Sequence, residues 1–469
     1  MEMSLGIVAM KRRTLALCVA ALCSAATLDN ALALDRLSRD RLPPHLQAAM
    51  PSAPGRFAPL GTIPVTNCDD SGAGSLRDAV ASAASGDAID MTALSCSQIT
   101  LTTGAIVIGQ HDLAFQGPGR DKLTLSADGS EGSAVLYHLG GGTLFVDGVS
   151  IVDGSKYTTD HDARGGCIYT NGYATLEHVA VRNCKAQTRF PYAAFGGGVY
   201  ARFIAYLLDT EVTGNEASSA GAYANGGGVF GYEAVQTNYA RISGNRLVGQ
   251  NSWGGGLSTR GSAFIQNSEI SGNEANNRAG VSFANAGASA VMINSTVSGN
   301  VASHTVGGVY SRSPLFMYNC TVAFNTEEVW NDGAGQYFGA GVNINVVSTI
   351  WSSILSNNTA PGVGTPGDIF DLSGNAPGIE GGDDVIMEFN IGLPASVDHG
   401  DPGLLPLADN GGRTRTHVPT SSNTNGFGDN MLNLQFDQRG HGFPRETAAG
   451  ITIGAYELNP DVIFANGFN

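Results

Sequence analysis

Gly196-Gly-Gly-Val199 leads to Val212-Thr-Gly-Asn215, Gly226-Gly-Gly-Val229 to Ile242-Ser-Gly-Asn245, and Gly254-Gly-Gly-Leu257 to Ile270-Ser-Gly-Asn273. In each copy the apolar residue closing the Gly run stands 13 places before the β-branched residue, and Asn follows three places after it. The same ending recurs downstream at Val297/Asn300, Val322/Asn325 and Ile354/Asn357, and upstream in weaker form at Val181/Cys184 and Ile151/Gly154. From Ile151 onward the steps are 30, 31, 30, 28, 27, 25 and 32 residues. Self-similarity at such a period is the mark of a stacked-repeat architecture.

The columns inside the repeat say which architecture. Five places before the β-branched residue stand Leu176, Leu207, Thr237, Ile265, Met292, Met317 and Thr349. Two places further back are Ala174, Ala205, Val235, Ala263, Ala290, Leu315 and Val347, so apolar residues alternate as in a half-buried strand. Three places before the β-branched residue, a polar-leaning column of His178, Asp209, Tyr239, Asn267, Asn294, Asn319 and Trp351 reads as a corner. Asn suits corners because it tolerates the left-handed conformation and bonds its own backbone. Stacking also lets Asn amides form ladders. Strand, corner, strand, corner is one rung of a parallel β-helix. The expected fold is all-β, a single-stranded right-handed parallel β-helix (solenoid) with an N-terminal helical cap and a C-terminal cap. The sequons at Asn294 and Asn319 fall in the corner column and are read as structural. Cys320 shares a column with Val179, Thr210, Ala240, Ser268, Ser295 and Ser352 and is read as a small packed residue.

Composition agrees. The 469 residues include 64 Gly and 18 Pro, with 42% hydrophobic and 14% charged residues. Gly without matching Pro excludes collagen, and the apolar content excludes a disordered chain. A net charge of −16 argues against a nucleic-acid partner. Lys11-Arg12-Arg13, the apolar run from Thr14 to Leu28 and Ala31-Leu32-Ala33 read as a signal peptide over 1–33. No second apolar stretch is long enough to span a bilayer, so no membrane span is expected in the mature chain. Export makes disulfides the reading for Cys68 with Cys96 and for Cys167 with Cys184. No Cys or His spacing supports a metal site. The remaining boundaries are a linker over 34–64, the N-terminal cap and first rung over 65–100, the β-helix over 101–398, a C-terminal cap region over 399–458 and a terminal tag over 459–469. Leu76, Val80 and Ala83 give the capping helix its apolar face.

These repeats resemble the right-handed parallel β-helices of secreted bacterial proteins in the pectin-lyase-like superfamily. The Gly-Gly-Gly-Val and Val-x-x-Asn units look like the repeats of polymorphic outer-membrane proteins. The segment Cys68-Asp-Asp-Ser-Gly-Ala-Gly-Ser75-Leu-Arg-Asp-Ala-Val80 is similar to the family's N-terminal Ser-Leu-Arg segment. The tail, with Asp401 to Gly412, Asp437-Gln-Arg-Gly440 and Ile453-Gly-Ala-Tyr-Glu457, looks like the C-terminal region of choice-of-anchor Q proteins. The Ala-Ile-Asp-type stretch expected before Asp437 is not recognisable in Ser421 to Asn430.

Length variation collects between each corner Asn and the next Gly run, so the insertions are expected to project from one side, a common binding face. They carry Tyr157, Phe190, Tyr192, Tyr223, Trp253, Trp330, Tyr337 and Phe338, rings suited to stacking on sugars; the competing reading folds these rings back onto the helix. For catalysis, Asp160, Asp162 and Arg164 form the tight acidic and basic cluster. Glu327, Glu328 and Asp332 form a second acidic group. Asp160 and Asp162 alone make a weak calcium motif, and no cofactor is expected. Asp437 and Arg439 read as a structural ion pair. The functional expectation is an exported, surface or secreted, non-catalytic protein contacting a polysaccharide or cell-surface glycan through one loop face, in the manner of an adhesin. A polysaccharide lyase or glycoside hydrolase, and a purely structural envelope or matrix protein, are the alternatives.

Overall fold

A computed structural model describes residues 42–49, 57–128, 132–328, 339–360 and 370–459. The signal-peptide reading of 1–33, Asp332, Trp330, Tyr337 and Phe338, and the terminal tag beyond 459 lie outside these residues. The described chain is an all-β parallel β-solenoid of about ten turns, consistent with a right-handed parallel β-helix. Three long sheets form its walls, with twelve, eleven and ten strands, and within them the strands of successive turns pair in parallel. One turn runs Ile168–Thr170 in the ten-stranded sheet, Tyr173–Glu177 in the twelve-stranded sheet and Ala180–Arg182 in the eleven-stranded sheet.

The β-branched column stacks in register as Ile99, Leu125, Ile151, Val181, Val212, Ile242, Ile270, Val297 and Val322. The next member is Leu355, not Ile354. Ile354 instead faces outward, packed against Val385 and Ile453. Adjacent apolar residues and adjacent Asn residues make either register acceptable to the pattern, and burial of both faces removes the usual discrimination.

The same slip moves the Asn column. Asn215, Asn245, Asn273, Asn300, Asn325 and Asn358 are buried inside the wall and bonded side chain to side chain at 2.8–2.9 Å. Each also receives the backbone N–H of its predecessor, and the chain of amides ends on Asp371. Left-handed backbone falls instead on the residue before each ladder position, as at Asn183, Gly214 and Gly244, and on the other column: His178, Asp209, Tyr239, Asn267, Asn294 and Asn319 have φ of 45–54°, and Ser352 replaces the expected Trp351. Both sequon asparagines are buried and bonded: Asn294 donates to the Phe436 carbonyl at 2.8 Å and Asn319 to that of Asp429 at 3.0 Å. The Gly run has its own cause. Gly196 has φ +62°, and a Cβ on Gly197 would collide with the Gly227 carbonyl of the next turn.

The insertions are strands. Lys185–Arg189, Glu216–Ala220 and Arg246–Val248 belong to a seven-stranded sheet, and Ala163–Arg164, Ala194–Phe195, Tyr223–Asn225 and Asn251–Trp253 to a four-stranded one. Together they build a wing on the solenoid around Ala194, Ala217, Ala224, Leu247, Ala275 and Ala302.

The helix Leu76–Ser82 buries Leu76, Ala79 and Val80 against the solenoid core, with Ser75 accepting the Asp78 N–H at its start. Arg77 joins it to the second turn by donating to the carbonyls of Gly104 and Ala105, both at 2.8 Å. Cys68–Cys96 and Cys167–Cys184 are bridged, and Cys320 is buried and free. Residues within the stretch read as a linker are docked. Thr62–Pro64 pairs with Ala88–Asp90, and the helix Pro44–Ala49 seats Leu46 beside Phe264, Val291 and Ile293. The outward face of the twelve-stranded sheet is apolar there, so it needs a cover.

The tail takes a similar course. Residues 389–398 bridge onto the last turns. The region from 399 onward runs back along the flank, with Arg415 bonded to Glu269 at 3.0 Å, Gln438 accepting from Thr296 at 2.6 Å and Ala455 donating to Thr321 at 3.1 Å. Arg120 and Arg413 meet on one carboxylate, Asp209. Asp437 and Arg439 do form a buried ion pair at 2.6 Å.

Candidate functional site

The wing and the ten-stranded sheet meet at an angle, and the rings collect in that corner. The residue after each apolar residue that closes a Gly run points outward, by the alternation of a strand. Through successive turns those residues are Tyr169, Tyr200, Phe230, Ser258, Ser282 and Tyr310, preceded by Tyr137. Tyr137, Tyr169, Tyr200 and Phe230 stack with centroids 4.6, 5.5 and 5.8 Å apart and planes within 20° of parallel. Opposite them the wing stacks Arg164, Phe195, Asn225 and Trp253 in register.

Phe195 leans onto Phe230 at 5.0 Å and divides the corner into two clefts. The first, of about 310 Å³, is lined by Tyr137, Lys156, His161, Asp162, Arg164, Tyr169 and Tyr192. Asp162 is fixed there: one oxygen pairs with Arg164 at 2.9 Å and the other accepts the Ala193 N–H at 3.0 Å. Burial opposes the Arg164 charge, but Tyr200 and Asp162 outweigh it and hold the guanidinium above its ordinary pKa. Burial also raises Tyr137 and Tyr200, so both phenols stay neutral at physiological pH. Lys156 stands 5.2 Å over the Tyr137 ring and Arg164 5.5 Å over that of Tyr200.

The second cleft, of about 630 Å³, contains Tyr232, Glu233, Trp253, Arg260, Arg278 and Arg312 in its lining. The Arg278 guanidinium lies 3.5 Å over Tyr310 and 5.1 Å over Trp253. Burial lowers its pKa to about 10, with Tyr310 opposing, so it remains a cation at neutral pH.

The structure thus gathers Asp162, Arg164 and Tyr192 in one cleft and Trp253 in the other. Asp160 stands apart, exposed and paired with His161 at 2.6 Å. Tyr157, Phe190 and Tyr223 are exposed on the wing, Tyr223 at 5.7 Å from Trp253. Glu327 is buried and Glu328 accepts from Ser303 at 3.3 Å. Sequence reading missed Tyr137, Lys156, Tyr169, Tyr200, Phe230 and the three arginines, although the alternation next to each Gly run already placed the tyrosines outward. Among the described residues no group of three or more His, Cys, Asp or Glu is arranged to hold a metal ion, and no helix is long and apolar enough to cross a membrane. No protein-family model, curated protein or solved structure matches the chain.

Proposed function

We propose that the chain is an exported, non-catalytic β-helix protein that contacts a polysaccharide or cell-surface glycan through the corner between the ten-stranded sheet and the wing. The observation carrying this reading is the ring-lined corner: half-buried Tyr137 and Tyr169 of the stacked column at one cleft and Trp253 of the wing at the other, each beside polar or charged groups. Sugar rings present apolar CH faces and equatorial hydroxyls, which such a mixed surface matches. The disulfides fit an oxidising compartment. The resemblance to pectin-lyase-like, polymorphic outer-membrane and choice-of-anchor Q proteins supports a surface location. Against hydrolysis, Asp162 is the one carboxylate lining the first cleft among the described residues and is already bound to Arg164, whereas glycoside hydrolysis uses two carboxylates flanking the bond.

The test is a panel of immobilised acidic and neutral polysaccharides, scored for retention and for unsaturated-product absorbance. Binding without turnover, weakened about tenfold or more by Tyr169→Ala or Trp253→Ala, is the expected result. Turnover abolished by Asp162→Ala would replace this reading with a lyase or hydrolase, and absence of any binding would replace it with a structural role.

A further inference from the structure

We infer that the second cleft is a subsite for a fixed oxyanion, the carboxylate or sulfate of an acidic saccharide, bound by Arg260, Arg278 and Arg312 beside Trp253. The inference rests on the glycan reading and specifies what that site selects. In a chain of net charge −16, most other arginines of the described residues are matched to carboxylates, Arg120 and Arg413 to Asp209, Arg182 to Glu211 and Arg415 to Glu269 among them, with Arg189 and Arg202 the exceptions. Among the described residues, Arg260, Arg278 and Arg312 have no carboxylate within ion-pair distance. Three cations against the single carboxylate of Glu233 in one concave site make a local positive potential.

The solenoid's register explains the gathering. Thr259, Phe283 and Ser311 pair in successive turns, so Arg260, Ala284 and Arg312, one residue later, share a corner. The two arginines are therefore two strand spacings apart, about 10 Å, with only the Ala284 methyl between them. Beside that gap the ring column is interrupted by the buried Ser258 and Ser282. Arg278 enters from the wing side on a residue with φ +56° and lies between Tyr310 and Trp253. Its guanidinium is positioned before any ligand arrives, which lowers the ordering cost of binding. The Arg312 charge is among the causes that lower the Arg278 pKa, so the cations disfavour one another and an anion relieves them both. A planar guanidinium matches the two oxygens of a carboxylate or sulfate. Glu233, on the rim, supplies the opposing charge.

The experiment compares dextran, carboxymethyl-dextran and dextran sulfate by titration calorimetry at low salt, using one backbone with no charge, carboxylates or sulfates. At least one charged polymer is expected to bind tenfold or more tighter than dextran, and that advantage should shrink as salt rises. The exposed pair Arg260→Gln with Arg312→Gln, checked for fold by circular dichroism, should erase the advantage, with Arg278→Gln doing the same. Glu233→Gln should increase it. Equal binding of charged and neutral polymers, or a charged preference untouched by the arginine variants, overturns the inference. If binding is charge-blind but still falls in Tyr169→Ala, the oxyanion subsite is refuted and the glycan reading stands. No binding to any of the three overturns the inference, while the glycan reading falls only if the wider polysaccharide panel is not bound either.

Discussion

Asn273 sits at the middle of the buried amide ladder, and its replacement tests what holds the turns together. Its Oδ1 accepts from the N–H and Nδ2 of Asn245 at 3.0 and 2.9 Å, while its Nδ2 donates to the Ile242 carbonyl at 3.0 Å and to Asn300 Oδ1 at 2.8 Å. Asn273→Ala deletes all four bonds at a site with no access to water. The Asn245 N–H loses its partner, at about 2 kcal/mol, and the other three bonds are worth under about 1 kcal/mol each because those groups keep other partners, giving roughly 3–5 kcal/mol in total. Asn273→Asp is the sharper variant. One oxygen keeps both donors from Asn245, but the second faces the Ile242 carbonyl and Asn300 Oδ1, two acceptors. Asp371 escapes this conflict at the natural end of the ladder because its second oxygen accepts the Glu388 N–H at 3.2 Å. Asn273→Asp should therefore be less stable than Asn273→Ala at pH 7 and recover as the pH falls and the carboxyl takes up a proton. Urea unfolding followed by circular dichroism at pH 7 and pH 5 reads both effects. A loss below about 1 kcal/mol in Asn273→Ala, or an Asn273→Asp protein as stable as wild type at pH 7, would refute the argument.

Burial pushes the Asp371 carboxyl up to about 7, above its ordinary value of 3.8. The folded form then holds an extra proton between about pH 4 and 7, so the last turn should lose stability as pH rises through that window. Amide exchange over 372–386 should show this slope, and Asp371→Asn should flatten it. Burial also raises the Cys320 thiol to about 12, so native protein should resist alkylation until denatured, while mass spectrometry finds two bridges. Labelling within minutes in native buffer would contradict this. Gly197→Ala drives a Cβ into the Gly227 carbonyl and the Glu216 backbone and should cost at least about 2 kcal/mol by thermal melt. By contrast, Gly244→Ala meets nothing within 4 Å and carries only the backbone penalty of its positive φ.

The solenoid was legible because its cause is local and repeated. Each Gly run, β-branched residue and Asn states the same geometry again, and a slip of one residue through the turn from Val347 to Asn358 left the other turns unaffected. The wing was not legible. Glu216-Ala-Ser-Ser-Ala220 has neither the β-branched residues nor the length that mark a strand, and it pairs because neighbouring turns hold it in place. The terminal segments hid for another reason. Arg415 with Glu269, and Leu46 with Phe264, join residues more than a hundred places apart, which no periodicity encodes. For the site, Trp253 and Tyr192 were visible as rings in an insertion. Tyr169 and Arg260 were overlooked because they sit in the regular part of the repeat, where outward residues look like ordinary surface.

The docking of residues 42–49 and 399–459 on the solenoid's flanks sets the order in which these parts of the molecule can be completed. A bare solenoid can grow turn by turn from its first rung as each repeat becomes available. Leu46, however, has no place to bind until Phe264, Val291 and Ile293 have joined the twelve-stranded sheet, and its site is also closed by Leu432 and Leu434. Arg413 returns to Asp209, and Arg439 and Glu457 settle together, only after the whole array exists. A chain emerging from its N-terminus must therefore keep Leu46 waiting while more than two hundred residues assemble, and Leu432 and Leu434 arrive later still to close over it.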